Sequence, residues 1–304
     1  MRFLSTICSI TMMLVGSLSL KAEEIDILKN IPKDTKLIIK LKADNLKGTA
    51  LYKSVSIAYL DKIDMLQEFF DKHIGFDPFE QDEIWLLSPA PKKFMIFVKG
   101  KFDHKNINQT FGQLPQVVLK DNKNAKFAAD FQFDENDTWK SVLVLNDECI
   151  AFGDIDSMAK FNKVITNEAA EIKLDEKTLK LLKNPRNAFS ATFLEGIKDW
   201  PDMDKNITKF IKTLSITANA ADDLMLKVDL EAFSKKHAEG IHNLFTGFQL
   251  LDLADKKMKN NVALMKLIKN AKSRFEGKQV YLSSSINGDS LLKVLPGANL
   301  GQEL

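Results

Sequence analysis

The stretch Glu83–Lys99, with the sequence EIWLLSPAPKKFMIFVK, decides the fold class because it holds two short strand patterns in succession. Apolar and aromatic residues fill Glu83–Ser88 and Lys93–Lys99, and Pro89 and Pro91 separate the two runs. Proline cannot donate a hydrogen bond to a neighbouring strand and is typical of turns and strand ends. The stretch therefore predicts two strands joined by a turn.

Strand and helix patterns alternate on both sides of this pair. Upstream, Leu37–Leu41 predicts a first strand, and apolar residues three or four apart over residues 50–74 predict a helix that ends at Gly75. Downstream, Asp103 is placed to cap a helix that runs to Leu114. The rest of this half is predicted as strands at Ala125–Phe133, Trp139–Leu145 and Glu148–Phe152, a hairpin turn at Asn146-Asp147, and a helix at Asp156–Ile165.

The second half of the chain has a comparable order. Pro185 precedes a predicted strand at Ala188–Phe193, as Pro32 precedes the first strand. The later elements are predicted as strands at Phe210–Ala218, Leu224–Phe233 and Gln279–Ile286, a long helix that Ser234 caps, and a second helix after Asn260-Asn261. We therefore expect an α+β fold of two related halves, each a mainly antiparallel sheet packed by helices in a β-α-β-β-α-β-like unit. The predicted halves are residues 23–170 and 171–304.

The long helix has an apolar stripe at helical spacing. Its members are Ile241, Leu244, Phe245, Phe248, Leu251 and Met258. We interpret the stripe as core packing, because an amphipathic helix turns such a face towards the core. The alternative is a groove or a lipid-facing surface.

Residues 1–22 are predicted to be a signal peptide. Arg2 supplies the charged start, Ile10–Leu20 is a short apolar segment, and cleavage is expected after Ala22. A helix that spans a bilayer needs about 20 apolar residues, and this segment is shorter. We expect an exported protein, periplasmic or secreted, and the alternative is an uncleaved N-terminal anchor.

Charge and cysteine content follow from removal of this leader. Two of the 43 Lys and Arg residues, Arg2 and Lys21, lie in it, so the remainder balances the 41 Asp and Glu residues. A formally neutral chain argues against nucleic acid as a partner, because phosphate binding needs a basic face. Cys8 leaves with the leader, so Cys149 has no intramolecular partner and we expect it to be buried.

No residue spacing in the chain is typical of a catalytic, metal or nucleotide site. His237 and His242 lie about 140° apart around a helix, which does not direct both at one metal ion. Asp134–Asp137 offers oxygen ligands but lacks the glycine and the bidentate glutamate of a calcium loop. The hydroxyls of Ser283–Ser285 fall in a predicted strand. We predict no catalytic, cofactor-binding or metal-binding residues, and no cofactor.

Four phrases of the chain occur together: a strand after proline, a helix end followed by a strand, a strand leading to Gly-x-Phe-Asp, and a strand ending in Gly-Asp. They are Ile31–Ile39 (IPKDTKLII), Ile74–Pro78 (IGFDP) with Glu83–Leu86 (EIWL), Phe97–Asp103 (FVKGKFD) and Ala151–Asp154 (AFGD). This combination resembles a group of uncharacterised, exported bacterial proteins. The resemblance implies an α+β fold and a signal peptide, and it assigns no functional residue.

Export, neutral charge and the lack of a site motif favour a non-enzymatic envelope protein that binds or scaffolds another macromolecule. The expected partner is a protein or another envelope component, with peripheral membrane contact as one way to reach it. One alternative is a periplasmic carrier of a lipophilic ligand, in which a sheet curves around the helix at residues 234–258. The other is an unrecognised hydrolase.

Overall fold

A computed structural model of the chain describes residues 26–42, 45, 49, 75–76, 81–114, 116–132, 138–200, 205–220, 223–250 and 269–287. All strand pairs described are antiparallel, and helices pack on them, so the fold class is α+β. The strands are β1 (Leu37–Lys42), β2 (Glu83–Ala90), β3 (Lys93–Lys99), β4 (Val117–Leu119), β5 (Phe127–Phe131), β6 (Lys140–Asn146), β7 (Cys149–Asp154), β8 (Phe189–Phe193), β9 (Ile211–Ala220), β10 (Asp223–Ala232), β11 (Lys272–Glu276) and β12 (Gln279–Asn287).

The α-helices within these ranges are α1 (His104–Gly112), α2 (Ile155–Ile165), α3 (Glu176–Lys183), α4 (Lys205–Thr208) and α5 (Lys235–Leu250). Two short 3₁₀ helices, Ile27–Lys29 and Ile197–Asp199, lie before β1 and after β8. In the described part of the chain, no helix combines the length and the apolar character that crossing a membrane requires.

The described residues form two compact units. The N-terminal unit contains the described residues of 26–42 and 75–180, and its strand order is β1-β2-β3-β7-β6-β5-β4. The C-terminal unit contains the described residues from 181 to 287 with Asn45 and Thr49, and its strand order is β11-β12-β10-β9-β8.

Helices cover both faces of the sheet in the N-terminal unit. On one face, the ring of Phe111 in α1 lies 5.7 Å from Phe127 and 4.9 Å from Phe131, both in β5. On the other face, Phe161 of α2 packs edge-on against Phe97 of β3 at 5.8 Å. Each fully buried aromatic side chain stabilises the fold by about 1.5–3 kcal/mol. The core of this unit is thus closed.

A helix cap, a hairpin turn and a buried cysteine in this unit agree with the predictions from the sequence. The Asp103 carboxylate caps α1 by accepting hydrogen bonds from the backbone N–H groups of Lys105 and Asn106, at 2.9 and 3.3 Å. The hairpin between β6 and β7 is confirmed, and its Asn146 side chain accepts from the Glu148 N–H at 2.8 Å. Cys149 is a free cysteine and is buried, as expected.

The predicted break at Pro89 is wrong, because β2 continues through it to Ala90. The register between β2 and β3 shifts between Leu87 and Ala90, and a missing N–H is tolerated at such an irregularity. The Ser88 hydroxyl donates a hydrogen bond to the Ala90 carbonyl at 2.8 Å across the same stretch. The chain then reverses at Lys92, whose φ is 65°.

Two strands, β4 and β11, have no counterpart among the predicted elements. The first has three residues, too few to show a period, and the second (KSRFE) has Phe275 as its one apolar member. Several predictions fall on residues outside the described ranges. They are the leader at 1–22, the helix at 50–74, the loop Asp134–Asp137, the end of the long helix beyond residue 250 and the helix after Asn261.

The sheet of the C-terminal unit has one apolar and one polar face, because successive side chains of a strand alternate. Rows of paired residues on the apolar face run Leu214, Leu230, Val280, Phe275 and Ile216, Val228, Leu282, Ser273. A row on the polar face runs Ser215, Asp229, Tyr281, Arg274. There the Arg274 guanidinium lies 4.3 Å from the Tyr281 ring centroid, and Ser283 and Ser285 are exposed.

We expect Gly153→Ala to lower the free energy of unfolding by about 1–3 kcal/mol. Gly153 lies in β7, where an added Cβ would collide with the carbonyl oxygen of Phe94 and lie 2.8 Å from the Cα of Met95. These are backbone atoms of β3, which cannot move aside as a flexible side chain can. Equilibrium urea unfolding measures the loss.

Gly240→Ala is the matched control. An added Cβ at Gly240, in α5, meets no atom within 4 Å, so alanine should raise the free energy of unfolding by about 0.5–1 kcal/mol through its higher helix propensity. Equal effects of the two substitutions would contradict the close approach of β7 to β3.

Candidate binding surface

Helix α5 turns only part of its apolar stripe towards the sheet. Ala238 is buried, and Ile241 and Phe245 follow it at helical spacing and are half-buried. Leu244 lies about 90° around the helix from their mean direction, and 44% of its side chain is exposed. The interpretation of the stripe as core packing is therefore wrong for Leu244. The side chains of the stripe from Phe248 onward lie outside the described set.

An aromatic group adjoins the exposed flank of this helix. His237 lies seven residues before Leu244, on the same side and about 10 Å away along the axis. Its ring packs on Phe210 with centroids 4.7 Å apart. The backbone N–H of Phe233 donates to the Phe210 carbonyl at 3.1 Å, and 55% of the Phe233 side chain is exposed. We call Phe210, Phe233, His237 and Leu244 the flank cluster.

The two histidines of α5 have different environments. Nδ1 of His237 is buried and has no hydrogen-bond partner among the described residues. Nδ1 of His242 lies 2.7 Å from the Ser273 hydroxyl, and its ring packs on Phe275 at 5.1 Å. The two rings contact different segments, Phe210 just before β9 and Phe275 in β11, in line with their predicted angular separation. A buried polar atom without a partner costs about 1–3 kcal/mol, so the His237 nitrogen requires an explanation.

The apolar face of the sheet beneath α5 is incompletely covered. Ile216, Val228 and Leu282 form one row across three strands, and all three are half-buried. The paired Ile96 and Phe152 on the α1 face of the N-terminal unit are also half-buried. The C-terminal unit therefore leaves apolar surface accessible at its centre as well as on the flank of α5.

Two pairs of side chains have the chemistry of part of a hydrolytic site. His242 and Ser273 are within hydrogen-bond distance, and no carboxylate among the described residues bonds to His242. His104 and Asp147 are 2.8 Å apart, and no hydroxyl or thiol in the described ranges bonds to His104. Neither pair completes the nucleophile, base and orienting carboxylate that hydrolysis by a triad needs.

A small surface pocket of the N-terminal unit is bounded by Pro32, Pro89, Met95 and other residues, and it contains Ser157 and Lys160. The Ser157 hydroxyl donates to Asp154 at 2.8 Å as part of the α2 cap, and the Lys160 ammonium pairs with Asp34. Both polar groups are thus engaged in local structure. Among the described residues, no three His, Cys, Asp or Glu side chains are grouped so that they could hold a metal ion.

Shifted pKa values occur at surface ion pairs of the N-terminal unit. The hydrogen bond from Lys126, at 2.6 Å, lowers the pKa of Asp147, and His104 acts in the same direction. The hydrogen bond between Lys93 and Asp156, also at 2.6 Å, raises the pKa of the lysine and lowers that of the aspartate. Such exposed pairs contribute little to stability and identify no poised acid or base.

Comparisons with known proteins give a likeness of fold. No protein-family model and no curated protein matches the chain. The fold is similar to that of TP0453. Its crystal form III superposes with a TM-score of 0.54 at 12% sequence identity, covering 90% of this chain and 99% of that one. Crystal form IV gives a TM-score of 0.53 at 10% identity, covering 88% and 95%.

The likeness to TP0453 supports the α+β fold over most of the chain. At this level of identity it carries no residue of the flank cluster across and no activity. The resemblance to uncharacterised exported bacterial proteins stays a prediction, because no family model matches.

We expect His237→Phe to raise the free energy of unfolding by about 1 kcal/mol, because it removes a buried nitrogen that has no partner and keeps the ring contact with Phe210. His242→Phe, the matched control on the same helix, removes the hydrogen bond to Ser273 and should lower it by about 1 kcal/mol. Urea unfolding of both variants at one pH provides the comparison. A loss of stability in both would show that the His237 nitrogen is satisfied.

Proposed function

We propose that the protein is a non-enzymatic, exported envelope protein that binds another macromolecule through the flank cluster. The observation that carries this proposal is the buried Nδ1 of His237, which has no hydrogen-bond partner among the described residues, on a helix flank where Leu244 is exposed. The leader at residues 1–22, with release into the periplasm or the medium, is part of the proposal.

The flank cluster combines what a protein-binding patch needs. Full burial of a Leu or Phe side chain stabilises an interface by about 1.5–3 kcal/mol, and Phe233 and Leu244 each retain about half of that surface. Aromatic residues are enriched at the centres of interfaces, where a few polar groups fix the orientation. We therefore infer that the partner is a polypeptide segment with apolar side chains and one hydrogen-bonding group for His237.

We also infer that the two units derive from one duplicated unit. Five strands support this, because the order β1-β2-β3-β7-β6 corresponds position by position to β8-β9-β10-β12-β11. In each unit an α-helix follows the third of these strands, α1 or α5. The N-terminal unit adds β5 and β4 beyond this set. An experimental structure in which the two five-strand sets do not superpose in this order would refute the duplication.

A carrier of a lipophilic ligand is the second candidate function. The half-buried row of Ile216, Val228 and Leu282 favours it, because these side chains lie on the apolar face on which α5 packs and are not fully covered. An apolar ligand that entered between helix and sheet would complete their burial. Native mass spectrometry of protein purified from its own membrane fraction separates the two functions, since a carrier retains lipid and a protein-binding patch does not require it.

We expect Phe233→Ser and Leu244→Ser each to reduce recovery of the partner by about three- to tenfold, because burial of about half of such a side chain contributes about 0.75–1.5 kcal/mol and about 1.4 kcal/mol corresponds to tenfold. Cross-linking in the native cell, followed by mass spectrometry, measures recovery of each cross-linked protein relative to wild type.

Met225→Ser is the matched control. Met225 is also apolar and 46% exposed. It lies on the polar face of the sheet, so its side chain is on the side opposite to the apolar rows. This variant should retain the partner at the wild-type level. If all three variants retain the same partners, the flank cluster is not the binding surface. Thermal unfolding of each variant confirms that it is folded.

A further inference from the structure

Strand β4 forms an open edge of the sheet in the N-terminal unit. Among the described residues it pairs only with β5, in the register Val117↔Phe131, Val118↔Asp130 and Leu119↔Ala129. The side chains of Val118 and Leu119 are 53% and 65% exposed. They are therefore two of the most exposed large apolar side chains in the described part of the chain.

The backbone of β4 presents hydrogen-bonding groups at this edge. The Lys120 N–H donates to the Ala128 carbonyl at 2.9 Å, and the Gln132 N–H donates to the Gln116 carbonyl at 3.1 Å. In an antiparallel pair, residues that bond to the neighbouring strand alternate with residues that do not. Gln116, Val118 and Lys120 thus bond towards β5. The N–H and C=O groups of Val117 and Leu119 are directed away from it.

The lysine that could protect this edge, Lys120, is paired with a residue of β5. Natural sheets commonly block an open edge with a lysine, whose charge opposes pairing with another strand. Here the Lys120 ammonium forms an ion pair with Oδ2 of Asp130 on β5. Asp130 is only 8% exposed, and its Oδ1 has no hydrogen-bond partner among the described residues. Release of Lys120 would leave a buried carboxylate without its cation, which is strongly unfavourable.

We propose that β4 pairs antiparallel with β4 of a second copy of this chain. The sequence Gln116–Lys120 (QVVLK) is self-complementary about Val118. Val118 meets Val118 of the second copy, and Val117 meets Leu119 in both directions, so each contact at the centre is apolar. At both ends Gln116 faces Lys120 of the second copy, and no like charges are opposed.

This register uses the free backbone groups of β4. Val117 and Leu119 are the residues whose N–H and C=O groups face the open edge. Each pairs with the other residue of the second copy, which gives two hydrogen-bonded pairs with about four backbone hydrogen bonds in total.

The arrangement is an isologous two-fold interface, in which the same patch serves on both copies. Three paired residues bury little area, so the dimer is expected to be weak and reversible. The surface is distinct from the flank cluster, and the two proposals are independent.

A cysteine pair tests the register. Val118 of each copy would form a non-hydrogen-bonded pair with Cα atoms about 4.5 Å apart, within the range of about 4.4–6.8 Å that a disulfide spans. We expect Val118→Cys to form a disulfide-linked dimer at least ten times faster than Leu119→Cys under mild oxidation. Leu119 is the matched control because it is more exposed, yet it faces Val117 of the second copy rather than its own counterpart.

Wild-type protein, which contains Cys149 and, where the leader is retained, Cys8, provides the background rate. Equal rates for the two variants would indicate random collision and would overturn the proposal. A faster rate for Leu119→Cys would also overturn it, because the pairing would then centre on a different residue.

Sedimentation velocity over a concentration series tests the association itself. The wild-type sedimentation coefficient should rise with protein concentration. Val118→Lys should remain monomeric, because two lysines would meet across the two-fold axis, and Val118→Thr should behave as wild type. A wild-type chain that stays monomeric up to its solubility limit would overturn the proposal. Thermal unfolding controls for folding, which an exposed position should not disturb.

Discussion

Antiparallel strand pairing is the constraint on which the rest of this structure depends. Because side chains alternate across each strand, the register decides which residues every helix meets. The close approach of β7 to β3 at Gly153 holds the middle of the N-terminal sheet in that register. Phe97 then faces α2, and the residues on either side of it face the opposite way. A slip of one residue would turn each side chain to the opposite face, so that Phe97 would lose its contact with Phe161 of α2.

The strands of both units pair antiparallel, but helices cover the two sheets to different extents. In the N-terminal unit, α1 and α2 cover opposite faces, and Phe97 and Phe161 on the α2 side are fully buried. In the C-terminal unit, α5 covers one face incompletely, and the other face has hydroxyls and charges, of which Ser283 and Ser285 are exposed. Exposed apolar side chains occur in both units, with Val118 and Leu119 in the first and Phe233 and Leu244 in the second.

Elements that carry a local signal could be predicted from the sequence. The Asp103 cap, the hairpin at Asn146 and the alternation in β9 and β10 depend on neighbouring residues and need no tertiary information. Strands β4 and β11 exist because a longer partner pairs with them, which no local pattern shows. The candidate binding surface could be predicted only in part. The stripe on α5 is visible in the sequence, but its exposure and the contact between Phe210 and His237 depend on the fold.

The edge strand β11 has a character opposite to that of β4. Lys272, Arg274 and Glu276 are exposed along it, and these charges keep it solvated. Of the two terminal strands described, one is apolar and the other is highly charged. A molecule with two adhesive edges could add copies at both and grow into a fibre, whereas one with a single adhesive edge stops growing after one addition. With pairing through β4 as proposed, the charges of β11 would therefore stop assembly at two copies.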